Sequence, residues 1–387
     1  MNLAVEWWVF GLSLAVPLYA FLGYPLILKV LALFTRRPVR LDEPAEWPSI
    51  SYMVPAYNEE ASIAGALDRI LASDYPGDRV QVVVGSDASS DRTDEIVRGY
   101  ADRGVELLRM PERSGKTATE NAMRPLMRGD IIVHLDAAVH IEPSGTRKLV
   151  TALCDPEVGV ASSRDISTAG VGETSDSGES NYVSYEMWVR RLETQVYGIT
   201  GVSGSFFANH RELHITLVPI ALSRDFAAAM VARRQGLRAV SVDQAVCYVP
   251  RGPSLRREYR RKVRTMARGL ETLWYHRDLL NPFRYGLFAW MLLSHKLLRW
   301  LVPWAFATAF LALAAAASRS TLADEFLCAV LLVLSAGWLG WTWPEDRRRP
   351  KVLGLSAYVV SGVVAGLHAW TKALRGELNP IWEPTRR

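Results

Sequence analysis

The side chains best placed for chemistry are carboxylates that follow directly on apolar runs. Asp136 closes the run Ile131 to Leu135, which reads as a buried strand of a parallel sheet. Ligands of open α/β sheets sit at the carboxyl ends of strands, so Asp136 is placed to meet a metal or a phosphate, unless it is simply a turn residue. The next plausible ligand position, 138, is an alanine. Asp87 stands in Gly85-Ser86-Asp87-Ala88-Ser89-Ser90-Asp91-Arg92-Thr93, where a carboxylate can accept a hydrogen bond from a nucleobase N–H. Ser90 or Asp91 suits a helix N-cap equally well. An earlier run ends Val54-Pro55-Ala56-Tyr57-Asn58-Glu59-Glu60, whose acids also complement the dipole of a following helix. Arg113-Ser114-Gly115-Lys116 sets a flexible glycine and a lysine at a helix start, which suits a phosphate, although Lys116 alone reads as a surface lysine.

Such residues need a scaffold that brings several strand ends to one edge. From Ser49 to about Pro250, strand candidates Ile50–Pro55, Val80–Ser86, Val105–Met110, Asp130–Asp136 and Val158–Ser162 alternate with helical stretches near 59–73, 90–102, 116–128 and 143–154. That alternation predicts an α/β domain with a mostly parallel sheet and helices on its faces. Residues 166–180 are rich in Gly, Ser and acids with no period and are expected to form a mobile loop. Beyond them Tyr182, Tyr185, Val189, Leu192 and Val196 recur at three and four, which predicts one apolar helix face. On that reading Tyr182 and Tyr185 pack in a core, the alternative being that they stack on sugars.

The ends of the chain are different. Trp7 to Leu28 is 22 residues without a charge, long enough to cross a bilayer as a helix. It lacks a positive leading region and an evident cleavage site, so it is expected to be retained rather than removed as a signal peptide. Lys29, Arg36, Arg37 and Arg40 follow and place the downstream side in the cytoplasm. Trp300–Ser318, Phe326–Pro344 and Val352–Thr371 each have spanning length, whereas about Pro282 to Trp300 reads as interfacial. The basic loop 345–351 belongs in the cytoplasm, yet alternation then puts a tail with Lys372, Arg375, Arg386 and Arg387 outside. The span count and the positive-inside rule therefore disagree at the C-terminus.

The chain's 387 residues leave room for two domains, and its formal charge of +5 is modest but clustered. Arg256, Arg257, Arg260, Arg261, Lys262, Arg264 and Arg268 lie on a stretch, 255–274, whose apolar stripe is Leu255, Tyr259, Val263, Met266, Leu270 and Leu273. Next to spans, this reads as a helix on the cytoplasmic leaflet, with membrane lipids rather than nucleic acid as its partner. Cys154, Cys247 and Cys328 are too far apart for a zinc pattern or a disulfide framework.

Taken together and in order, the motifs resemble the glycosyltransferase family 2 catalytic domain, a nucleotide-sugar transferase of the GT-A type. The resemblance covers about residues 49–250. It runs through Val-Pro-Ala-Tyr-Asn-Glu, Ser-Asp-Ala-Ser-Ser-Asp-Arg-Thr, Gly-Lys with Asn121, and Leu-Asp-Ala-Ala. It continues through Gly201-Val202-Ser203-Gly204-Ser205-Phe206-Phe207-Ala208 and Arg224-Asp225. The flanking spans look like the membrane-integrated branch that includes hyaluronan, chitin and cellulose synthases. The resemblance implies that Pro55, Ala56, Tyr57, Glu59 and Asp87 hold the uridine end of a UDP-sugar with Lys116 nearby. It implies that Asp136 coordinates Mg²⁺ or Mn²⁺ on the diphosphate, and that Arg261 and Arg264 pair with that diphosphate. Asp225 matches the family's general base, its alternative being a helix N-cap because Phe226 to Gln235 looks helical. Gly204, Ser205 and Glu186 fall where the family shapes its acceptor site.

Three departures stand out. Ala138 replaces the second acid of Asp-X-Asp, Arg224 replaces the acid before the base, and Arg261-Lys262-Val263-Arg264-Thr265 replaces Gln-X-X-Arg-Trp of the processive enzymes. The expectation is an inverting, multi-pass transferase of the inner (cytoplasmic) membrane with its catalytic domain in the cytoplasm. It would move a sugar from a UDP-sugar to a growing polysaccharide or a lipid-linked glycan, with polysaccharide export partners an extension. The alternative is an inactive scaffold subunit of a polysaccharide export complex. Its expected layout is a span in 1–35, the GT-A domain in 45–250, amphipathic interfacial helices in 251–299, spans in 300–371 and a tail in 372–387.

Overall fold

The computed structural model describes residues 3–169, 177–214, 218–251, 254–344, 347 and 349–377. They form two compact units. One, from Ala32 to Gly252 with a short return at Glu271–His276, is built on an eight-stranded sheet. Its strands are β1 Ile50–Ala56, β2 Val80–Ser86, β3 Val105–Arg109, β4 Ile131–Leu135, β5 His140–Ile141, β6 Val158–Ala169, β7 Phe206–His210 and β8 Arg238–Arg251. The order is β3-β2-β1-β4-β7-β6-β8-β5. Strands β3, β2, β1 and β4 are mutually parallel, β7 runs antiparallel to both neighbours, and β6 is parallel to β8.

The expected alternation is realised. Every residue of β1 and β4 is buried, as an apolar run in the middle of a two-faced sheet must be. Helices Ile63–Leu71, Thr93–Arg98, Lys116–Met123 and Gly145–Leu153 occupy the predicted intervals. One face packs Ile63, Leu67, Ile70, Val97, Leu149 and Leu153 on the sheet. The other packs Met53, Val83, Met123 and Ile132, with a second cluster around Val160, Phe207, Ala229 and Ala232. Register matters more than packing for function. Ala56 pairs with Ser86, so the two strands end level and the Tyr57 and Asp87 turns lie side by side.

One sequence expectation fails in this unit, and one strand has no counterpart among the expected ones. The segment 166–180 is not all loop: β6 continues to Ala169 and a helix begins at Ser177, while 170–176 lies outside the described residues. A bulge between Ser163 and Arg164 shifts the register, after which β6 pairs with β8 through Thr168↔Pro250; that ladder, not local composition, makes the polar stretch a strand. Strand β7 also escaped sequence reading, because it is five residues long and follows directly on a polar loop. Gly129 has a clear structural duty at the start of β4, where a Cβ would lie 2.7 Å from Ile50 Cα. Gly129→Ala is expected to destabilise this unit by about 1–3 kcal/mol, read as a lowered denaturation midpoint.

The other unit is helical. Leu3–Phe34, Leu287–Ala317, Thr321–Thr342 and Lys351–Arg375 are four helices long and apolar enough to cross a membrane, one N-terminal and three C-terminal. The second begins 13 residues before the expected Trp300, because the segment expected to be interfacial is continuous with it. His295 and Arg299 interrupt the apolar run but are buried within the unit, Arg299 with its guanidinium 5.3 Å from the Phe21 ring. Each of the first two helices contains a π-turn, Tyr19–Gly23 and Leu293–Leu297. Tyr19 hydroxyl joins them, 2.9 Å from Ser294 Oγ and accepting from Trp290 Nε1 at 3.0 Å. The basic helix Leu255–Tyr275 uses its apolar stripe on protein: Val263 and Ala267 pack on Ala365 and Ala369, and Tyr259 Oη lies 3.0 Å from His368 Nδ1. Part of the stripe thus packs on the Lys351–Arg375 helix, one of the four candidate spans.

Candidate active site

The carboxyl ends of β1, β2 and β4 carry the three predicted motifs to one edge. Both turns after β1 and β2 are strained: Asn58 has φ 51° and Ala88 φ 56°, a left-handed conformation rare for an alanine. They are tied together, Ser90 N donating to Asn58 Oδ1 at 2.8 Å and Asn58 N to Ser89 Oγ at 3.2 Å. Pro55 and Ala56 are buried as the last residues of β1. The Tyr57 ring lies under Arg113, 3.9 Å from its guanidinium carbon. Glu59 is buried; its amide donates to Thr93 Oγ1 at 2.8 Å and its carboxylate accepts from Ser62 Oγ at 2.5 Å.

Asp87 is buried and acts on the protein's own loop. Oδ1 accepts from Ser114 N at 2.7 Å and Oδ2 from Gly115 N at 2.8 Å. Gly115, at φ 91°, is the turn from which the Lys116–Met123 helix starts. Asp87 therefore fixes where Lys116 begins its helix, and a carboxylate keeps lone pairs for a further donor.

Lys116 reaches Asp136. Its Nζ lies 2.5 Å from Asp136 Oδ1 and 3.3 Å from Gly204 O, with both side chains partly open. Burial opposes the lysine charge, but Asp136, Glu120 and Asp225 outweigh it and raise the Lys116 pKa, so the group stays an ammonium. Asp136 N donates to Ser205 O at 3.0 Å, one step beyond the Leu135↔Phe206 pair, so the antiparallel β7 carries Ser205 and Gly204 to the same place.

Asp225 closes the group. The helix Arg224–Arg234 is capped at Ser223, which excludes the N-cap alternative for Asp225 and puts it in the first helical turn. Ser223 Oγ and Phe226 N, the latter at 2.9 Å, both donate to Oδ1. Oδ2 is turned to Gly204, where a Cβ would stand only 2.7 Å from it. Gly204 is thus the bare floor between the acid of β4 and the acid of the helix.

Beneath lies a buried polar layer that the sequence did not reveal. Arg224 Nε donates to Glu120 Oε2 at 3.0 Å, and its Nη2 donates to Asn121 Oδ1. His134 Nδ1 stands 3.9 Å from Glu120 Oε1, while Nε2 lies 2.9 Å from Asn209 Oδ1. Burial works against the Glu120 carboxylate, but His134, Lys116 and Arg224 pull its pKa down to about 2. His214 is buried beside His134, and burial, His134 and Arg224 push its pKa down to about 2. Below pH 6.5 an unfolded His214 takes up a proton that the folded one refuses, so stability falls as pH falls. The expected slope is up to about 1.4 kcal/mol per pH unit. His214→Gln is expected to flatten it, measured as the denaturation midpoint against pH.

The remaining candidates have other contacts. Glu186 pairs with Arg190, 3.5 Å away, on the helix Ser177–Val196. Arg261 forks onto Glu258 at 2.7 and 2.8 Å, and Arg264 is half-buried, both in the helical unit. Tyr182 is exposed, which overturns the core-packing expectation: Met187, Val189, Leu192 and Val196 form the buried face. Tyr182, Tyr185 and exposed Trp188 form a ladder, their centroids 6.5 and 5.9 Å apart. Trp188 went unnoticed because the apolar period masks a stripe one position out of phase.

Comparison with known proteins bears on the fold and the sheet domain. Residues 51–218 match the model of glycosyl transferase family 2. An N-acetylglucosaminyltransferase from Rhizobium sp. (strain N33) is 27% identical over 146 residues, 37% of this chain and 32% of that protein. A beta-monoglucosyldiacylglycerol synthase from Synechocystis sp. is 31% identical over 117 residues, 29% of this chain and 24% of that protein. The chain therefore spans about a third or less of these curated relatives. A solved mannosyltransferase from Pyrobaculum calidifontis, in complex with GDP-Man and Mn²⁺, superposes with a TM-score of 0.70 at 24% identity, covering 95% of this chain and 99% of that one. Its likeness extends the shared fold over nearly the whole chain. Residues 51–218 thus resemble the glycosyl transferase family 2 domain, on a mixed α/β sheet with the GT-A-like fold of a solved glycosyltransferase.

Proposed function

We propose that this protein is a membrane-bound inverting glycosyltransferase that moves a sugar from a nucleotide-diphosphate donor, of the UDP class, to a glycan or lipid-linked acceptor. The observation that carries the reading is the convergence of Lys116, Asp136, Gly204 and Asp225. Asp225 takes the proton from an acceptor hydroxyl through Oδ2, since Oδ1 already holds two donors. The acceptor oxygen then bonds to the sugar's anomeric carbon as the bond from that carbon to the diphosphate breaks. Lys116 receives the charge that develops on the departing diphosphate.

The residues fit a divalent ion that binds together with the donor. Among the described residues no cluster of three or more His, Cys, Asp or Glu could hold a metal unaided. Asp136 offers one carboxylate, partly open, and Mg²⁺ takes one or two protein carboxylates plus substrate phosphates and waters. When bound, Mg²⁺ or Mn²⁺ would neutralise charge on the leaving diphosphate. Ala138 needs no replacement on this account.

Four potential spans support an acceptor met at the membrane, and the basic residues after the first support a domain on the cytoplasmic side of the inner membrane. The scaffold alternative loses one support, since Arg224 has a structural partner in Glu120. The test is a screen of UDP- and GDP-sugars with purified protein and Mn²⁺, reading nucleotide release. Release from one donor class is expected, with product length separating a polymer from a single added sugar. No release from any donor refutes the reading.

A further inference from the structure

The acids and the lysine of the site stand on a second tier that repeats their arrangement. Each of three elements contributes one residue to each tier. The Lys116–Met123 helix gives Lys116 above and, one turn on, Glu120 below. Strand β4 leads into Asp136 above and carries His134, two residues earlier on the same face, below. The Arg224–Arg234 helix gives Asp225 above and Arg224 below. In the lower tier, Arg224 Nε lies 3.0 Å from Glu120 Oε2 and His134 Nδ1 lies 3.9 Å from Glu120 Oε1. All three lower residues are buried.

We infer that the Glu120–Arg224 ion pair is a positioning clamp: it sets the distance between the donor-phosphate end of the site, Lys116 with Asp136, and the base Asp225. The inference rests on the function proposed above. The two partners are 104 residues apart in sequence, yet each sits within one turn of a reacting group on a rigid element. Two further bonds hold the segment leading into Asp225 on the same helix. Thr117 Oγ1 donates to Leu222 O at 3.2 Å, and Asn121 Nδ2 to Val218 O at 2.9 Å. Burying the pair is a poor route to stability, because two desolvated charges do no better than well-packed apolar side chains of similar volume. What the pair supplies is direction, since an arginine fork on a carboxylate and on Asn121 Oδ1 tolerates little sliding. Glu120 and Arg224 therefore act through Lys116 and Asp225 without touching substrate.

The test separates position from stability. The apolar pair Glu120→Leu with Arg224→Met should keep the wild-type melting temperature, yet lower kcat by about 10–100-fold with donor KM within about threefold, as a misplacement of about 1 Å does. Arg224→Lys, which keeps the charge and loses the fork, should fall between. The reversed pair, Glu120→Arg with Arg224→Glu, should regain at least about tenfold over Arg224→Glu alone. Turnover is read as UDP or GDP release from the donor identified by the screen. A folded apolar pair with wild-type kcat overturns the clamp and leaves the enzyme reading standing. Wild-type protein that releases no nucleotide overturns the enzyme reading, and the clamp with it.

Discussion

Asp225→Asn is expected to lower turnover by about 10²–10⁴-fold while donor binding persists, the range a positioned general base supplies. The substitution is nearly isosteric and leaves the local frame intact. An asparagine carbonyl oxygen still accepts from Ser223 Oγ and Phe226 N, the two donors that now hold Oδ1. What disappears is a carboxylate oxygen able to take a proton, on the side where Gly204 leaves space. Asparagine keeps the bond from Phe226 N and Ser223 remains at the N-cap position, so stability should change little. Nucleotide release and equilibrium binding of the donor, measured side by side, check the claim. An Asp225→Asn protein that turns over at the wild-type rate removes Asp225 from the mechanism.

The second large effect is expected at Asp136. Asp136→Ala removes the partner of Lys116 and the carboxylate offered to a divalent ion, so donor affinity in the presence of Mn²⁺ should drop by about 10–100-fold, the loss of a charge-assisted contact. The signature is in the metal. Wild-type protein should bind Mn²⁺ weakly without nucleotide and clearly with UDP or GDP, because one carboxylate is too few and the diphosphate completes the shell. In Asp136→Ala the nucleotide should no longer recruit the ion. Tight Mn²⁺ binding by the nucleotide-free wild type would point to a ligand set other than Asp136 and the diphosphate.

Much of this architecture was legible in order along the chain. Apolar runs that end in acids or polar turns mark strands buried on both faces, and those strands appear within a residue or two of expectation. Where pairing partners are distant the reading failed. β6 extends through a polar stretch because β8 runs beside it. Tyr182 sat on the expected face by period, but the burial boundary falls one position further round.

The sequence by itself determined the strand ends, the acids on them, the order of the motifs and the stretches long enough to span a bilayer, because these follow from local periodicity and side-chain chemistry. Only the tertiary structure decided which of those groups meet. It set Lys116 on Asp136, turned Asp225 to Gly204 and gave Arg224, an anomaly in sequence, a buried partner in Glu120. A charge cannot be buried unpaired, so the partner had to exist; its identity depended on packing two helices that lie 104 residues apart at this pair.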